Sequence, residues 1–395
     1  MRPKVSRAAP ADEVDEVDEV DETQAMRLAL RLARRAYGQT SPNPLVGAVL
    51  VHGGRIIGQG WHHRAGQPHA EVEALRDAAR RGHSPRGATL FVTLEPCSTF
   101  GRTPPCTDAI VAAGICKVVV AATDPNPRHA GRGLALLRSQ GIEVTCGLLA
   151  AESARMNEPF DHWIVHRSPF VTVKAAMTLD GKIATADGRS KWITGDRSRA
   201  HGQRLRRGSD AILVGIGTVL ADDPSLTVRS GPGSKVQERE LRRLVLDTRA
   251  RTPLTAKLVT DGSAGSTTIF VGPRAAKQRV AALSERVRVV VAPEKDGHID
   301  LGWLLPVLGL EGVTSLLVEG GGEVNAAFLL GGFAHRVAFF YAPMVLGGCD
   351  ALRGVAGGGA RSLAEALSMV APEWRRFGPD LFMTARVASP SAIAP

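Results

Sequence analysis

Apolar residues at Met26, Leu28, Leu30, Leu32 and Ala33 recur at helical spacing and predict a first helix running to about Gly38. The apolar run at 45–51, the pair Gly53-Gly54 and then Ile56-Ile57-Gly58 predict two strands joined by a tight turn. Further along, the pattern reads as a helix over 71–81, a strand at 89–94, a helix over 107–113 closed by Gly114, and a strand at 117–122. A helix over 133–140 and a strand at 142–146 follow. Such alternation predicts a mostly parallel sheet with helices on its faces.

The segment 156–168, which holds Asn157, Pro159 and Ser168-Pro169, is expected to be a junction. A second alternating series begins after it. Its expected strands are 170–174, 211–214, 243–247, 268–271, 287–291, 315–319 and 336–341, and its expected helices 196–207, 275–283 and 324–330. Gly/Pro-rich stretches at 230–234 and 354–359 read as loops, and no repeat relates the halves. The expected organisation is an acidic, disordered tail at 1–23, one domain over 24–167 and a second over 168–395.

Composition narrows the class. Of 395 residues, 44% are hydrophobic and 22% charged, as in globular proteins. The longest apolar runs are strand-length, short of the ~20 residues that span a bilayer, so no membrane partner is expected. The N-terminus lacks the apolar core of a secretory signal. The net charge of +10 hides an asymmetry, because residues 1–23 carry −5 and the remainder +15. A basic body suits an anionic ligand such as a nucleotide cofactor, a sugar phosphate or nucleic acid, or serves solubility alone. Five widely spaced cysteines form no disulfide framework and suit a reducing cytoplasm, where clustered thiols serve metals or catalysis.

The strongest chemical signal is His69-Ala-Glu71 followed by Pro96-Cys97 and Pro105-Cys106. One imidazole and two thiolates supply three ligands to a zinc ion and leave a fourth position open for water. A nearby uncoordinated carboxylate, Glu71, would shuttle a proton from that water to a departing amine. The pattern is that of zinc nucleobase deaminases. It departs from their usual Cys-x-x-Cys in the long insert 98–105, which brings Arg102 and Thr103 beside the metal as expected contacts to a larger substrate.

Further motifs accompany this set: Ser41-Pro-Asn-Pro-Leu-Val-Gly47, Gly66-Gln-Pro-His-Ala-Glu71, Leu94-Glu-Pro-Cys-Ser98, Gly101-Arg-Thr-Pro-Pro-Cys106, Asp124-Pro-Asn-Pro127 and Ala130-Gly-Arg-Gly133. The second half adds Thr178-Leu-Asp-Gly181, Thr218-Val-Leu-Ala-Asp-Asp-Pro224, Leu226-Thr-Val-Arg229 and Leu317-Val-Glu-Gly-Gly-Gly322. In this order the chain resembles the bifunctional riboflavin-biosynthesis deaminase/reductase family over about residues 24–350. The resemblance implies a three-layer α/β/α cytidine-deaminase-like domain followed by a dihydrofolate-reductase-like α/β domain. It also implies two reactions: hydrolytic deamination of a diaminopyrimidinone ribosylamine 5′-phosphate, then NADPH-dependent opening of its ribosyl ring to a ribityl chain.

By the same resemblance, His69, Cys97 and Cys106 hold Zn2+, Glu71 moves the proton, and Asn43 and His62 contact the pyrimidine. NADPH would lie along Ala176, Trp192, Thr218, Asp222, Thr248 and the loop of Gly321, Gly322, Glu323, Val324, Asn325, Ala326 and Ala327. The ribosyl phosphate would meet Ser190, Arg206, Leu226, Arg229 and Glu319, with Lys174 polarising the sugar. The glycine run is not a Rossmann fingerprint, but glycines between a strand and a helix N-terminus let backbone N–H groups approach phosphate. Thr99, where the family commonly has His, and His129, where an apolar residue is usual, depart from the pattern. A homo-oligomer without nucleic acid is expected.

Two other classes fit parts of the sequence. A tRNA or DNA base editor with an accessory domain would explain the zinc motif and the basic body, but the wide cysteine spacing and an aromatic content of 5% weigh against it. A non-catalytic relic would not keep the full set of ligands, shuttle and glycine loop.

Overall fold

The computed structural model describes residues 19–101, 103–229 and 240–388. Positions 12–18 of the acidic tract, Arg102 and the stretch 230–234 lie outside them. In the N-terminal half the elements run α1 (Glu22–Ala33), β1 (Gly47–His52), β2 (Arg55–Trp61), α2 (Ala70–Arg80), β3 (Thr89–Leu94), α3 (Cys106–Ala112), β4 (Lys117–Ala122), α4 (Arg132–Ser139), β5 (Glu143–Cys146) and α5 (Ala150–His166). The sheet order is β2-β1-β3-β4-β5, with β3, β4 and β5 parallel and β1 antiparallel to both its neighbours.

Strand alternation divides the core into two layers. Leu90 and Val92 of β3 face the apolar stripes of α2, α3 and α4 (Ala74, Ile110, Leu137), while Phe91 faces Met26, Ala29 and Leu32 of α1. The result is the expected three-layer α/β/α domain.

Two expectations need correction. Residues 19–23, read as part of the tail, belong to the folded body. Asp21 caps α1 in a reciprocal capping box with Gln24, Val20 N donates to Gly54 O at 3.0 Å, and Glu22 pairs with Lys117 at 3.1 Å. The expected junction is the 17-residue helix α5, although Pro159 lies inside it. A mid-helix proline costs about 3 kcal/mol. Tertiary ties offset that: Ser153 Oγ donates to Thr93 O at 2.6 Å, and Asn157 clasps both backbone groups of Leu45, at 2.8 and 3.0 Å.

The second half continues with β6 (Phe170–Thr178), β7 (Lys182–Ala184), α6 (Asp196–Arg207), β8 (Ala211–Gly215), α7 (Ile216–Asp222), β9 (Arg242–Leu246), α8 (Lys257–Thr260), β10 (Thr267–Val271), α9 (Lys277–Ser284) and β11 (Arg288–Val291). A short pair, β12 (Glu294–Lys295) and β13 (His298–Ile299), precedes α10 (Leu301–Leu310), β14 (Ser315–Val318), α11 (Gly322–Leu330), β15 (Arg336–Ala342), β16 (Leu352–Arg353), β17 (Met369–Phe377) and β18 (Asp380–Val387). Nine strands pair in the order β11-β10-β9-β8-β14-β6-β15-β18-β17, parallel as far as β15 and antiparallel beyond. Apolar clusters lie on both faces, one built with α10 and α11 and the other with α7, α8 and α9. In a parallel sheet, sites gather beyond the carboxyl ends of the strands, and the segments after β8, β9 and β14 meet there. Among the described residues no helix is long and apolar enough to cross a membrane.

Candidate active sites

The first site lies where α2, the end of β3 and the start of α3 converge. His69 is the N-cap of α2, so Glu71 falls in the first helical turn. Cys97 follows β3 after Glu95-Pro96, and Cys106 opens α3. His69 Nδ1 stands 3.5 Å from Cys97 Sγ and 3.2 Å from Cys106 Sγ. Zinc–sulfur bonds of about 2.3 Å and zinc–nitrogen bonds of about 2.0–2.1 Å in a tetrahedron place donors about 3.5 Å apart. The three donors therefore fit a zinc ion, and they form the one His/Cys/Asp/Glu cluster among the described residues compact enough to hold a metal.

Electrostatics agree. The Cys97 thiol is held well below the usual thiol range, first by a hydrogen bond from the Cys106 thiol and then by His69. Cys106 is pushed up because it holds that shared proton, which a metal would displace. Glu71 is 3% exposed, and its Oε2 has no hydrogen-bond partner among the described residues. Burial, reinforced by the charge of Cys97, pushes its carboxyl up to about 7. A buried carboxylate oxygen beside three such donors is the arrangement that proton transfer at a metal site requires.

The remaining residues of this site are arranged around it. His62 is 2% exposed and donates Nδ1–H to Pro68 O at 3.1 Å, which leaves Nε2 to accept from Asn43 Nδ2 at 3.1 Å. Burial lowers its pKa, so the ring is a neutral acceptor that orients the Asn43 amide. Thr103 Oγ1 lies 3.4 Å from His69 Nε2, the ring nitrogen that faces away from the sulfurs. The insert thus serves the metal ligand at this position, while Arg102 falls outside the described residues. The two departures from the family pattern are neighbours: Thr99 Oγ1 is 3.4 Å from His129 Nδ1.

Sequence reasoning missed Glu95, although it sits inside a quoted motif. Its carboxylate accepts from the backbone N–H of Asp124, Gly131 and Gly133 at 3.1, 2.9 and 2.8 Å and bolts that loop against Cys97's strand end.

The second site occupies the carboxyl edge of the nine-stranded sheet. Glu319, just past β14, forms a bidentate pair with Arg206 of α6, both bonds 2.9 Å, and meets Lys174 Nζ of β6 at 3.4 Å. Burial pushes the Glu319 carboxyl up, but the Lys174 and Arg206 charges outweigh it and hold the group at about 2. The third Arg206 nitrogen donates to Thr227 O at 3.1 Å, so the guanidinium braces the 226–229 segment from inside. Leu226 is buried with φ +50°, and Arg229, exposed, donates its backbone N–H to Gln203 Oε1 at 2.9 Å.

The cofactor residues fall into small groups. Asp222 accepts from Ser190 Oγ at 3.1 Å and faces Lys191 Nζ at 3.7 Å. Trp192 is 65% exposed, not part of the core, with Arg199 4.6 Å above its ring. Ala176 is half-buried on β6, and Thr248, past β9, accepts from Gly272 N at 3.0 Å.

The glycine run divides by function. A Cβ on Gly322 would come within 2.3 Å of Arg353 O, so close packing demands that glycine. Gly321, the N-cap of α11, faces open space bordered by Thr218 Oγ1 at 3.9 Å, which suits a phosphate against the helix N-terminus. Glu323 and Ala327 are exposed and Val324 half-buried, whereas Asn325 and Ala326 are buried. Asn325 Nδ2 donates to Gly354 O at 2.8 Å and ties α11 to the loop at 354–359.

Arg243, fully buried, was invisible in the sequence because an arginine inside an apolar strand reads as exposed. Its guanidinium pairs with Asp261 at 2.7 and 2.8 Å and donates to Ser225 O at 2.9 Å, which pins the residue before Leu226.

Comparison with known proteins matches both halves of the chain. The family described as "Cytidine and deoxycytidylate deaminase zinc-binding region" matches residues 19–122, and "RibD C-terminal domain" matches residues 169–383. The chain is 43% identical to "Riboflavin biosynthesis protein RibD" of Aquifex aeolicus over 359 residues, covering 90% of this chain and 96% of that protein. It is 41% identical to the Escherichia coli protein of the same name, covering 90% and 96%. Among solved structures, Acinetobacter baumannii RibD aligns with a TM-score of 0.82 at 36% identity, covering 93% of this chain and 99% of that one. A Thermotoga maritima diaminohydroxyphosphoribosylaminopyrimidine deaminase/5-amino-6-(5-phosphoribosylamino)uracil reductase aligns with a TM-score of 0.80 at 35% identity, covering 93% and 98%.

Proposed function

The chain belongs to the bifunctional riboflavin-biosynthesis deaminase/reductase family, and on that premise we propose how its residues divide the work. The protein is an enzyme of riboflavin biosynthesis that uses zinc and NADPH, with a hydrolytic deaminase and a reductase in one chain. Residues 19–167 carry the deamination and 168–395 the reduction. One observation supports the division above all: the His69/Cys97/Cys106 donor set with the unpartnered Glu71 Oε2 beside it stands apart from the Lys174–Glu319–Arg206 cluster.

In the deaminase site His69, Cys97 and Cys106 would hold zinc, which when bound supplies the Lewis acidity that brings water's pKa toward neutrality. Glu71 Oε2 accepts the proton of the attacking water and returns it to the pyrimidine amino group, which leaves as ammonia. Asn43, its amide oriented by His62, recognises the pyrimidine edge. Thr103 keeps the His69 ring turned toward the sulfurs.

In the reductase site NADPH, when bound, supplies the hydride that converts the ribosyl group to ribityl. Ala176, Trp192, Thr218, Asp222, Thr248 and the 321–327 loop would hold it, with the open side of Gly321 toward phosphate. Ser190, Leu226 and Arg229 line the substrate side. Arg206 and Glu319 act there as a preformed pair that fixes Lys174 Nζ, and Arg229 carries the guanidinium left for the ribosyl phosphate. Exposed thiols at Cys116, Cys146 and Cys349 suit a reducing cytoplasm, and the working form is a homo-oligomer acting on a small phosphorylated pyrimidine, not on nucleic acid.

Arg229→Ala tests the reductase assignment. The expected result is a KM for the deaminated substrate raised by about 10–100-fold, from the loss of a charge-assisted phosphate contact. Zinc content and ammonia release stay unchanged. Steady-state NADPH oxidation at varied substrate measures the first and metal analysis the second, and an unaltered KM would remove Arg229 from the site.

A further inference from the structure

We propose that Asp210, a residue of the reductase half, positions Asn43 of the deaminase site through the hydroxyl of Ser41. The inference rests on the reading of Asn43 as a pyrimidine contact.

Ser41 Oγ donates to Asp210 Oδ2 at 2.8 Å across the junction between the halves. Asp210 is 2% exposed, and the same oxygen accepts from Thr314 N at 2.7 Å and from Thr314 Oγ1 at 2.8 Å. Its own N–H donates to Ser315 Oγ at 2.9 Å, so the carboxylate is held between β8 and β14 and cannot follow a moving loop. It is a fixed post in the larger domain.

From Ser41 the chain reaches Asn43 with little slack. Prolines at 42 and 44 fix their own φ and restrict the residues before them. Asn43 N–H closes the turn on Thr40 O at 2.8 Å. Beyond Pro44, Asn157 of α5 clasps Leu45 N and O. The Asn43 backbone thus hangs between two anchors, Asn157 in the first half and Asp210 in the second.

The approach to Ser41 is seated on the reductase half as well. Tyr37 lies 5.1 Å beneath the Arg204 guanidinium of α6, and a Cβ on Gly208 would fall 1.9 Å from Tyr37 Oη. A hydrogen bond to a buried carboxylate, placed two residues from an amide that must be aimed, has the geometry of a positioning device. Stability alone would be served equally by an apolar contact.

The test uses the full-length, zinc-loaded enzyme and measures kcat and KM separately for ammonia release and for NADPH oxidation on deaminated substrate. Ser41→Ala is expected to raise the deaminase KM on the order of ten-fold while kcat stays within about two-fold, because a small misplacement of a binding group weakens binding first. Zinc stoichiometry and both reductase constants stay at wild-type values. Ser41→Thr, which keeps the hydroxyl, restores most of the KM. Asp210→Asn reproduces the Ser41→Ala effect, and combining the two adds nothing further, as residues in one hydrogen bond should behave. An unchanged deaminase KM in Ser41→Ala, a proportionate fall in both activities, or additive effects of the two substitutions would overturn the proposal. Asn43→Ala separates it from its foundation. If that variant raises KM while Ser41→Ala does not, this inference alone fails. If it leaves KM unaltered, Asn43 is no pyrimidine contact and both readings fail.

Discussion

Glu71→Gln lowers ammonia release by about 10²–10⁴-fold, the range that general acid–base catalysis supplies. The amide keeps the shape of the side chain but can neither take a proton from water nor hand one to the leaving amine. The substitution changes none of the three metal donors, since His69 and both cysteines meet one another directly. Zinc content is therefore expected to stay at one per chain, by metal analysis of the purified variant. Reduction of substrate already deaminated should proceed at the wild-type rate, because Lys174, Arg206 and Glu319 form a separate cluster on the other sheet. Comparable loss of both activities would mean that the two reactions share machinery that this division keeps apart.

Glu319→Gln has the second largest expected effect. Glu319 is the counter-charge for two cations, Lys174 and Arg206, all three with side chains less than a fifth exposed. Removing one partner of a buried ion pair costs about 3–5 kcal/mol because the remaining charge stays desolvated. Linkage gives a similar size. A carboxyl held at about 2 instead of 4.5 contributes about 3 kcal/mol, present in full above pH 4.5 and lost as pH falls toward 2. The variant is thus expected to unfold at lower denaturant concentration at pH 7 and to show a flatter acid limb than wild type. Its reductase activity falls at least about 100-fold, since the pair that fixes Lys174 is broken. Ammonia release measured well below the unfolding transition is spared. An unchanged midpoint at pH 7 would show that Glu319 is not the balancing charge.

How far the sequence could be read depended on which force dominated each segment. Short apolar runs bounded by turn signals, such as β3 and β4, were legible, because a strand covered on both faces buries nearly every position. Helix α5 was not, because Pro159 signals a break and the ties from Ser153 and Asn157 that override it are tertiary. Helix α10 was missed for a related reason: LGWLLPVLGL is apolar on all sides and contains Pro306, so it offers no period to detect. The edge strand β17 is mostly exposed and lacks alternation.

At the sites the same rule holds. The metal ligands were legible because zinc chemistry dictates residue type. The contact of Thr103 with His69 was not legible, because spacing cannot say which way a loop side chain turns. Arg206 and Glu319, both expected to meet the ribosyl phosphate, also pair with each other, which spacing could not show across the intervening chain. Asp210 and Arg243 carried no local signal of their roles, and Asn157 read only as part of a junction. Their partners lie far away in sequence, and only the assembled sheet brings them together.

One chain is expected to remove the amine at the His69/Cys97/Cys106 site and to reduce the ribosyl group at a second, independent site. The direct measurement is to incubate purified enzyme with the diaminopyrimidinone ribosylamine 5′-phosphate, with and without NADPH, and to follow ammonia and NADPH oxidation separately. Full ammonia release is expected without NADPH, and NADPH oxidation that follows deamination with matching stoichiometry. Ammonia that appears only when NADPH is consumed, or NADPH oxidation without ammonia, would contradict this division.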